Sequence, residues 1–331
     1  MSLQHSLRIQ RTGAYTSVGH TAAQTAAALR SRLNNFSESA VFDGHGEPVW
    51  VAQADVSDGK ADAVQRQLFM LDRAIADCLA GLPANTVKTL PIIYCMAKRP
   101  DEFDALAEAC RPRTTAGAHY YARGASGLGH AFALATEWLD QAPQVLIASV
   151  DSHTTPVSLQ GLLKEELALT ASSGDGVVPG EAACALLVSQ GDSDKVAGPT
   201  LDCVAFAVTG DDAVRGSNHP NLGTALSAAI VQVKSSLPDG QRIAVRMSDQ
   251  AGDDWHAKQA ALGAGRSDVG DAELWCVADS LGHCGAAMGA LQIAWAHTAL
   301  TKGYGPAGFW LAHQSSTHGQ HSAMLLKATV P

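Results

Sequence analysis

The chain of 331 residues has few charged side chains and little that would recognise a nucleic acid. Charged residues make up 17% of it, against about 25% in an average protein. Its 23 Lys and Arg residues are scattered, and the formal net charge is −9. Because nucleic-acid grooves need clustered positive charge, we do not expect a nucleic-acid partner. The apolar share of 46% excludes a largely disordered chain.

Signals for export, membrane insertion and metal binding are also missing. The first residues contain no apolar core of a secretory signal. The seven cysteines form no CxxC or similar spacing, so we expect small apolar thiols in a reducing cytoplasm, without a metal or cofactor. The segment 284–301 is apolar enough for a membrane-spanning helix to be considered as an alternative. It is Ala- and Gly-rich and contains Gln292 and His297, which favours a buried helix of a soluble protein and no membrane partner.

What the sequence does contain is a weak internal repeat. The repeated order is a Gly-rich turn, a buried Ala-rich helix, an apolar strand, a glycine and a second apolar strand. The order occurs at residues 124–130, 130–139, 144–150 and 180–188, and again at 281–289, 289–300, 308–312 and 319–327. The segment 190–199 is the best boundary, so we predict two halves of one α/β architecture, 1–195 and 196–331.

Further patterns predict the elements around this repeat. The long connection 151–178, with a helix at 159–168, has no counterpart in the second half and is expected to serve a pocket or an interface. Other predicted helices are 21–33, 61–82, 101–110, 221–235 and 255–262, and other predicted strands are 90–96, 118–122, 242–247 and 274–278.

Four segments resemble β-ketoacyl synthases, which belong to the thiolase-like superfamily. Leu281-Gly-His-Cys-Gly-Ala-Ala-Met-Gly289 is similar to that family's Gly-His-Thr-x-Gly-Ala-Ala-Gly turn. Residues 179–188 resemble its Gly-Glu-Gly-Ala strand, 150–152 the turn after its fourth strand, and 12–19 its opening strand and turn. The resemblance implies a thiolase-like, five-layered α-β-α-β-α sandwich of two pseudo-symmetric halves.

The resemblance also shows a vacancy. Decarboxylative condensation needs a thiolate at the start of a buried helix, an oxyanion hole and polarising imidazoles. The family's cysteine stands at the Gly-rich turn before the first central helix, where this chain has Gly124, and no cysteine lies between Cys110 and Cys184. Ser126 is the only hydroxyl in that turn. It is either a nucleophile, with His119 or His130 as its base, or a small residue in a tight turn.

One of the family's two imidazoles is kept. His283 stands in its Gly-His turn and either donates a hydrogen bond into a pocket or holds the turn. The His-Gly-Thr motif that carries the other imidazole is absent. His256 lies six or seven residues after that place, on a predicted helix, as a displaced catalytic group or a helix-surface histidine.

Other reactive residues have competing interpretations. Cys284 follows His283 and is either a reactive thiol at a helix start or a buried apolar residue. His313, His318 and His321 surround the last turn. The last two could share a metal, but a third ligand is not evident, so we interpret them as loop histidines beside a pocket.

The expected function follows from these parts. The resemblance implies a ketosynthase-like protein without a nucleophilic cysteine, acting as a structural partner or an acyl-binding protein linked to a secretion system or to lipid or polyketide synthesis. Its expected partners are acyl-CoA or an acyl-carrier protein, and a second or related subunit paired through strand 118–122. The alternatives are an acyltransferase of the 3-oxoacyl-ACP synthase type that uses His283, and an interaction module with a filled pocket.

Overall fold

The structure is a computed structural model that describes residues 2–56, 62–97, 99–191, 198–210, 214, 219–316 and 319–330, with the backbone alone at 2–5, 100, 101 and 112. Its strands are β1 (Ser2–Thr16), β2 (Ser37–Phe42), β3 (Pro48–Val51), β4 (Ile92–Met96), β5 (Ala118–Ala122), β6 (Val145–Ser152), β7 (Glu181–Gln190), β8 (Thr200–Thr209), β9 (Ile243–Ser248), β10 (Glu273–Cys276), β11 (Gly308–Ser315) and β12 (His321–Thr329).

The helices alternate with these strands. They are α1 (Ala22–Arg30), α2 (Ala63–Cys78), α3 (Ala84–Lys88), α4 (Pro100–Cys110), α5 (Gly127–Trp138), α6 (Pro156–Lys164), α7 (Thr224–Lys234), α8 (Asp254–Arg266), α9 (Ala278–Leu281) and α10 (Met288–Thr301). Side-chain caps set several starts: Thr21 accepts from the Gln24 amide, and Asp62 forms a capping box with Gln65. None of the described helices is long and apolar enough to cross a membrane.

Two arrays of five strands have the same order and the same strand directions. The first runs β5-β4-β6-β7-β1 and the second β10-β9-β11-β12-β8. In each array the first three strands are parallel and the last two pair antiparallel to their neighbours. Pairing of β1 with β8 joins the arrays into one ten-stranded sheet. The predicted pseudo-symmetric α/β architecture is therefore confirmed.

The two Ala-rich helices lie between the arrays. Helix α5 contacts β4 and β6 of the first array and β8 and β12 of the second, and α10 contacts β1, β7, β8 and β11. Helix α2 covers the outer face of the first array, and α7 covers that of the second. These contacts give the five layers of the predicted sandwich. Small side chains permit this close packing, since a Cβ on Gly129 of α5 would lie 2.7 Å from Val208 Cγ2.

Strand β6 shows why apolar runs predict this layering. Val145 and Ile147 face the central helices, whereas Leu146, Ala148 and Val150 face α2, and all five are fully buried. The sequence of a strand that is covered on both faces is a continuous run of apolar residues. The sequence pattern QVLIASV therefore placed this strand correctly.

Several boundaries differ from the sequence predictions. Helix α5 begins at Gly127 rather than 130, and α6 spans Pro156–Lys164 rather than 159–168, because Thr155 caps its first turn. Strand β10 ends at Cys276, and the end of the predicted strand 274–278 instead starts the short helix α9. Strands β2, β3 and β8 were not predicted. Residues 192–197, at the predicted boundary of the two halves, lie outside the described residues.

Candidate functional site

A cavity of about 900 Å³ opens where strand ends of the first array meet turns of the second. The ends of the parallel strands β4, β6 and β11 border it, as do the turns that precede the two central helices. Clefts at the carboxyl ends of parallel strands are common ligand sites. The lining residues are Ala97, Arg99, Phe103, His119, Tyr120, Tyr121, Ala122, Arg123, Gly124, Ala125, Asp151, His153, His283, Gly285, Ser315, Ser316 and Gln320.

Two imidazoles from different parts of the chain meet in this cavity. The backbone amide of His153, just after β6, donates to the Gly180 carbonyl, and the Gly180 amide donates to the His283 carbonyl. The His283 amide in turn donates to the Val178 carbonyl. The short segment 178–180 therefore holds both histidines, and their rings stack with centroids 5.0 Å apart.

Asp151 connects the two histidine-bearing segments. Its Oδ1 accepts from Arg99 Nη2 at 2.7 Å, and its Oδ2 accepts from the Ala286 amide at 2.9 Å. Burial favours the neutral acid, but the Arg99 charge and these hydrogen bonds outweigh it and lower the pKa of Asp151 to about 2. A side-chain Cβ at Gly285 would lie 1.9 Å from Asp151 Oδ2, so only glycine lets the carboxylate reach the turn before α10.

Arg99 also fixes the proton of His153. Its Nη2 lies 3.3 Å from His153 Nδ1. A guanidinium has no acceptor, so Nδ1 must accept and the proton of the neutral ring stands on Nε2. Burial lowers the pKa of His153, and Arg99 adds to this effect although Asp151 opposes it. His153 is therefore a neutral hydrogen-bond donor rather than a base.

His283 is also neutral. Burial lowers its pKa to about 3. Its Nδ1 is buried with no hydrogen-bond partner among the described residues, as is His153 Nε2. The cluster around Asp151 thus presents the two uncharged imidazoles of His153 and His283 beside one ionised carboxylate and the guanidinium of Arg99.

Gly124 lines the same cavity and faces open space. A Cβ built on it meets no heavy atom within 4 Å, and its φ of +55° is in the left-handed region that favours glycine. The turn Gly124–Ser126 contacts the turn Gly285–Ala287, so this position lies beside the Asp151 and His153 cluster.

Comparison with known proteins rests on structure, because the sequence matches no family model and no curated protein. The chain is similar to the ishigamide ketosynthase/chain length factor, with a TM-score of 0.76 and 14% identity over 98% of this chain and 99% of that one. It is also similar to a chain of the type II PKS ketosynthase in complex with its acyl-carrier protein and bound to a hexaketide, at TM-score 0.79 and 12% identity over 98% and 99%. The fold is that of the ketosynthases.

A third ketosynthase extends this agreement. The ketosynthase from module 6 of the bacillaene synthase of Bacillus subtilis 168 aligns at TM-score 0.75 and 13% identity, over 98% of this chain and 72% of that one. The ketosynthase fold thus accounts for nearly the whole chain, and the predicted thiolase-like class is confirmed.

Within the ketosynthase fold, the remaining sequence candidates lie as follows. Ser126 is buried, does not line the cavity, and donates its hydroxyl to the Arg123 carbonyl at 3.0 Å. His119 lines the cavity, whereas His130 lies on α5 beside the Tyr121 ring. The Cys284 thiol donates to the Leu281 carbonyl, and burial raises its pKa well above the usual value.

The other histidines of the second half, residues 196–331, lie outside the cavity lining or outside the described residues. His256 lies on α8 with Nδ1 2.7 Å from Asp253 Oδ2. His313 Nε2 accepts from Arg246 at 3.2 Å, and His321 Nδ1 contacts the Ser315 hydroxyl at 3.1 Å. His318 lies outside the described residues. Within the described part of the chain, no three metal-ligating side chains come together.

The sequence analysis missed Arg99 and His153. Arg99 lies three residues after β4, and His153 directly follows β6. Strands β4 and β6 are parallel neighbours, so their carboxyl ends meet at one edge of the sheet. Polar residues directly after two predicted buried strands were the signal that could have found both.

Replacing Arg99 by glutamine is expected to destabilise the protein by about 3 kcal/mol, because it leaves the buried Asp151 carboxylate without its cation. Urea unfolding at pH 7 measures this effect. Arg111→Gln is the matched control. Its ion pair with Glu108 is exposed and is expected to contribute less than about 1 kcal/mol. Equal losses in both variants would contradict a structural role for the Arg99–Asp151 pair.

Asp249 is expected to make stability depend on pH. Burial raises its pKa to about 7, although its Oδ2 accepts from the Ser315 amide at 2.6 Å. Between roughly pH 4 and 7 the unfolded chain has lost this proton and the folded chain keeps it, so stability falls as pH rises, by at most about 1.4 kcal/mol per pH unit.

Asp249→Asn keeps an acceptor for Ser315 and removes the titration. We expect a flatter profile of unfolding free energy between pH 4 and 7, and a variant more stable than the parent at pH 8. Asp239→Asn, at an exposed position, is the control that keeps the parent slope. An unchanged slope in Asp249→Asn would show that this carboxyl titrates normally.

Proposed function

We propose that this chain is a non-condensing, ketosynthase-like protein that binds an acyl thioester in the cavity without forming a covalent bond to it. The observation that carries the proposal is Gly124. Where the resemblance places the nucleophile, the chain has an open space and no side chain. No cysteine lines the cavity within the described residues. Removing the nucleophile from a covalent mechanism removes most of its rate.

The state of the imidazoles supports the same proposal. His153 is held as a neutral donor, and burial opposes proton uptake by His283. Neither ring is suited to take a proton from a hydroxyl or a water molecule near neutral pH. Both rings can still donate a hydrogen bond to a carbonyl oxygen, which is what thioester binding requires.

The test is binding measured together with covalent labelling. Acyl-CoA and acyl-carrier-protein thioesters are titrated by calorimetry, and the mixtures are analysed by intact-protein mass spectrometry. We expect saturable binding, no mass adduct, and weakened binding in His283→Ala. A covalent acyl adduct would overturn the non-covalent mechanism, and absence of binding across the panel would overturn the acyl-binding role and favour an interaction module with its function on the surface.

The open cavity favours one alternative function, an acyltransferase or 3-oxoacyl-ACP synthase-type enzyme that uses His283 without a cysteine. This alternative requires turnover of acyl thioesters, and loss of turnover in His283→Ala. Absence of released CoA in the same titrations would exclude it for the acyl groups in the panel.

We further propose that the chain pairs with a second or related subunit through β5. This strand ends the first array, and among the described strands it pairs only with β4, with Tyr120 and Tyr121 as amphipathic anchors. The similar structures include a ketosynthase/chain length factor and a ketosynthase in complex with an acyl-carrier protein, which supports partners of these kinds. Light scattering of the purified chain tests self-association, and Ala118→Pro, which removes an amide on the side of β5 that faces away from β4, is expected to weaken it.

A further inference from the structure

Among the residues that the structure describes, the cavity wall has no aliphatic side chain larger than a methyl group. Among the described residues that line it, the only aliphatic groups are the methyl groups of Ala97, Ala122 and Ala125. No valine, leucine, isoleucine or methionine contributes, although hydrophobic residues make up 46% of the chain. A wall of this kind offers little to a flexible alkyl chain, whose binding depends on buried apolar area.

Flat groups replace the missing aliphatic ones. Phe103, Tyr120 and Tyr121 line the cavity together with three histidines and with Arg99 and Arg123. Two ring pairs are already in contact within the wall. His119 meets Tyr121 edge-to-face with centroids 4.5 Å apart, and His153 stacks on His283 at 5.0 Å. Aromatic and guanidinium planes favour a ligand that is itself flat and conjugated.

The polar groups of the wall strengthen this selection. Asp151, Ser315, Ser316 and Gln320 also line the cavity. An alkyl chain would displace the water molecules bound to these polar groups and would leave them without a hydrogen-bond partner, which costs free energy. A ligand with a carbonyl or carboxyl oxygen beside a ring can form hydrogen bonds with these polar groups in place of the displaced water.

We propose that the cavity selects an aryl-carbonyl ligand, a planar aromatic acyl group presented as a thioester or as the free carboxylate, over a fatty acyl chain. This inference rests on the proposed function, because it specifies the acyl group that the site would hold. It concerns noncovalent recognition and requires no chemical step.

The experiment compares two thioesters with the same number of acyl carbons, cinnamoyl-CoA and nonanoyl-CoA, by isothermal titration of the full chain. We expect cinnamoyl-CoA to bind about tenfold more tightly, the ratio that one or two added aromatic contacts provide. Free cinnamate is titrated in parallel to distinguish the carboxylate from the thioester. Binding of either aryl form more tightly than nonanoyl-CoA supports the inference.

Two variants of cavity residues test the source of the aryl preference independently of each other. Tyr121→Leu and Phe103→Leu replace cavity rings by aliphatic side chains, and each is expected to reduce the preference for the aryl ligand. Phe42→Leu, at an exposed ring outside the cavity, is the control that leaves the preference unchanged. Equal or tighter binding of nonanoyl-CoA would overturn this inference and leave the acyl-binding role intact. Failure of every ligand to bind would overturn both.

Discussion

A cysteine placed at residue 124 is expected to become the most reactive thiol of the chain. The parent chain has seven cysteines, six buried and one half-buried, and burial raises the pKa of those that lie within the layers. Residue 124 faces the cavity, where a Cβ meets no heavy atom within 4 Å. It also opens the turn that leads into α5, whose positive end favours a thiolate.

The expected increase in the rate of thiol labelling is large. A thiol near its ordinary pKa exposes a few per cent thiolate at neutral pH, whereas a thiol whose pKa burial raises to about 12, as for Cys95, exposes almost none. Iodoacetamide labelling followed by mass spectrometry should therefore show one new adduct in Gly124→Cys, formed at least about a hundredfold faster than any in the parent. The left-handed φ of +55° is expected to cost about 1 kcal/mol of stability.

Gly124→Ser is the matched control, since it introduces the same backbone strain without a thiol. Labelling of Gly124→Cys at the rate of Gly124→Ser would show that this position does not open into the cavity. The variant also tests the proposed function. Acylation of Gly124→Cys by an acyl thioester, with no acylation of the parent, would show that the cavity brings the thioester to residue 124.

Replacing Leu146 by aspartate is expected to prevent folding. Leu146 is fully buried in β6, between β4 and β7, and faces α2. The substitution removes a large apolar side chain, at about 2–5 kcal/mol, and buries a carboxylate for which the surrounding Leu71, Ile92 and Leu187 provide no partner. Together these costs approach the total stability of a typical domain, about 5–15 kcal/mol.

Soluble expression and circular dichroism measure this result. Leu146→Met, which conserves volume, should fold with a loss below about 1.5 kcal/mol. Val157→Asp tests the effect of an added charge alone, because Val157 is 78% exposed, and it should fold normally. A folded, stable Leu146→Asp protein would contradict the placement of β6 within the layers.

The sequence predicted the layered fold for a physical reason. Strands buried on both faces are uninterrupted apolar runs, and central helices buried all round are rich in alanine and glycine, so both β6 and α10 could be recognised locally. Strand β8 was missed although it is largely buried, because polar residues such as Asp202 interrupt its apolar run. Asp202 is accommodated by Arg8 of β1, a residue 194 positions away along the chain.

The candidate site was predictable only in part. Gly124 and His283 stand in turns that open helices, and those turns have local patterns of glycine and small residues. His153 and Arg99 carry no such pattern. Their importance arises from the parallel pairing of β4 with β6 and from hydrogen bonds through segment 178–180.

The sequence by itself determined the two-fold α/β layering and placed Gly124 and His283 in glycine-rich turns that open helices, because each depends on residues close together along the chain. Only the tertiary structure decided that Arg99, Asp151 and His153 join His283 around one cavity, that both imidazoles are neutral, and that the wall is aromatic and polar. Those properties depend on burial and on contacts between distant segments, which the order of residues does not express locally.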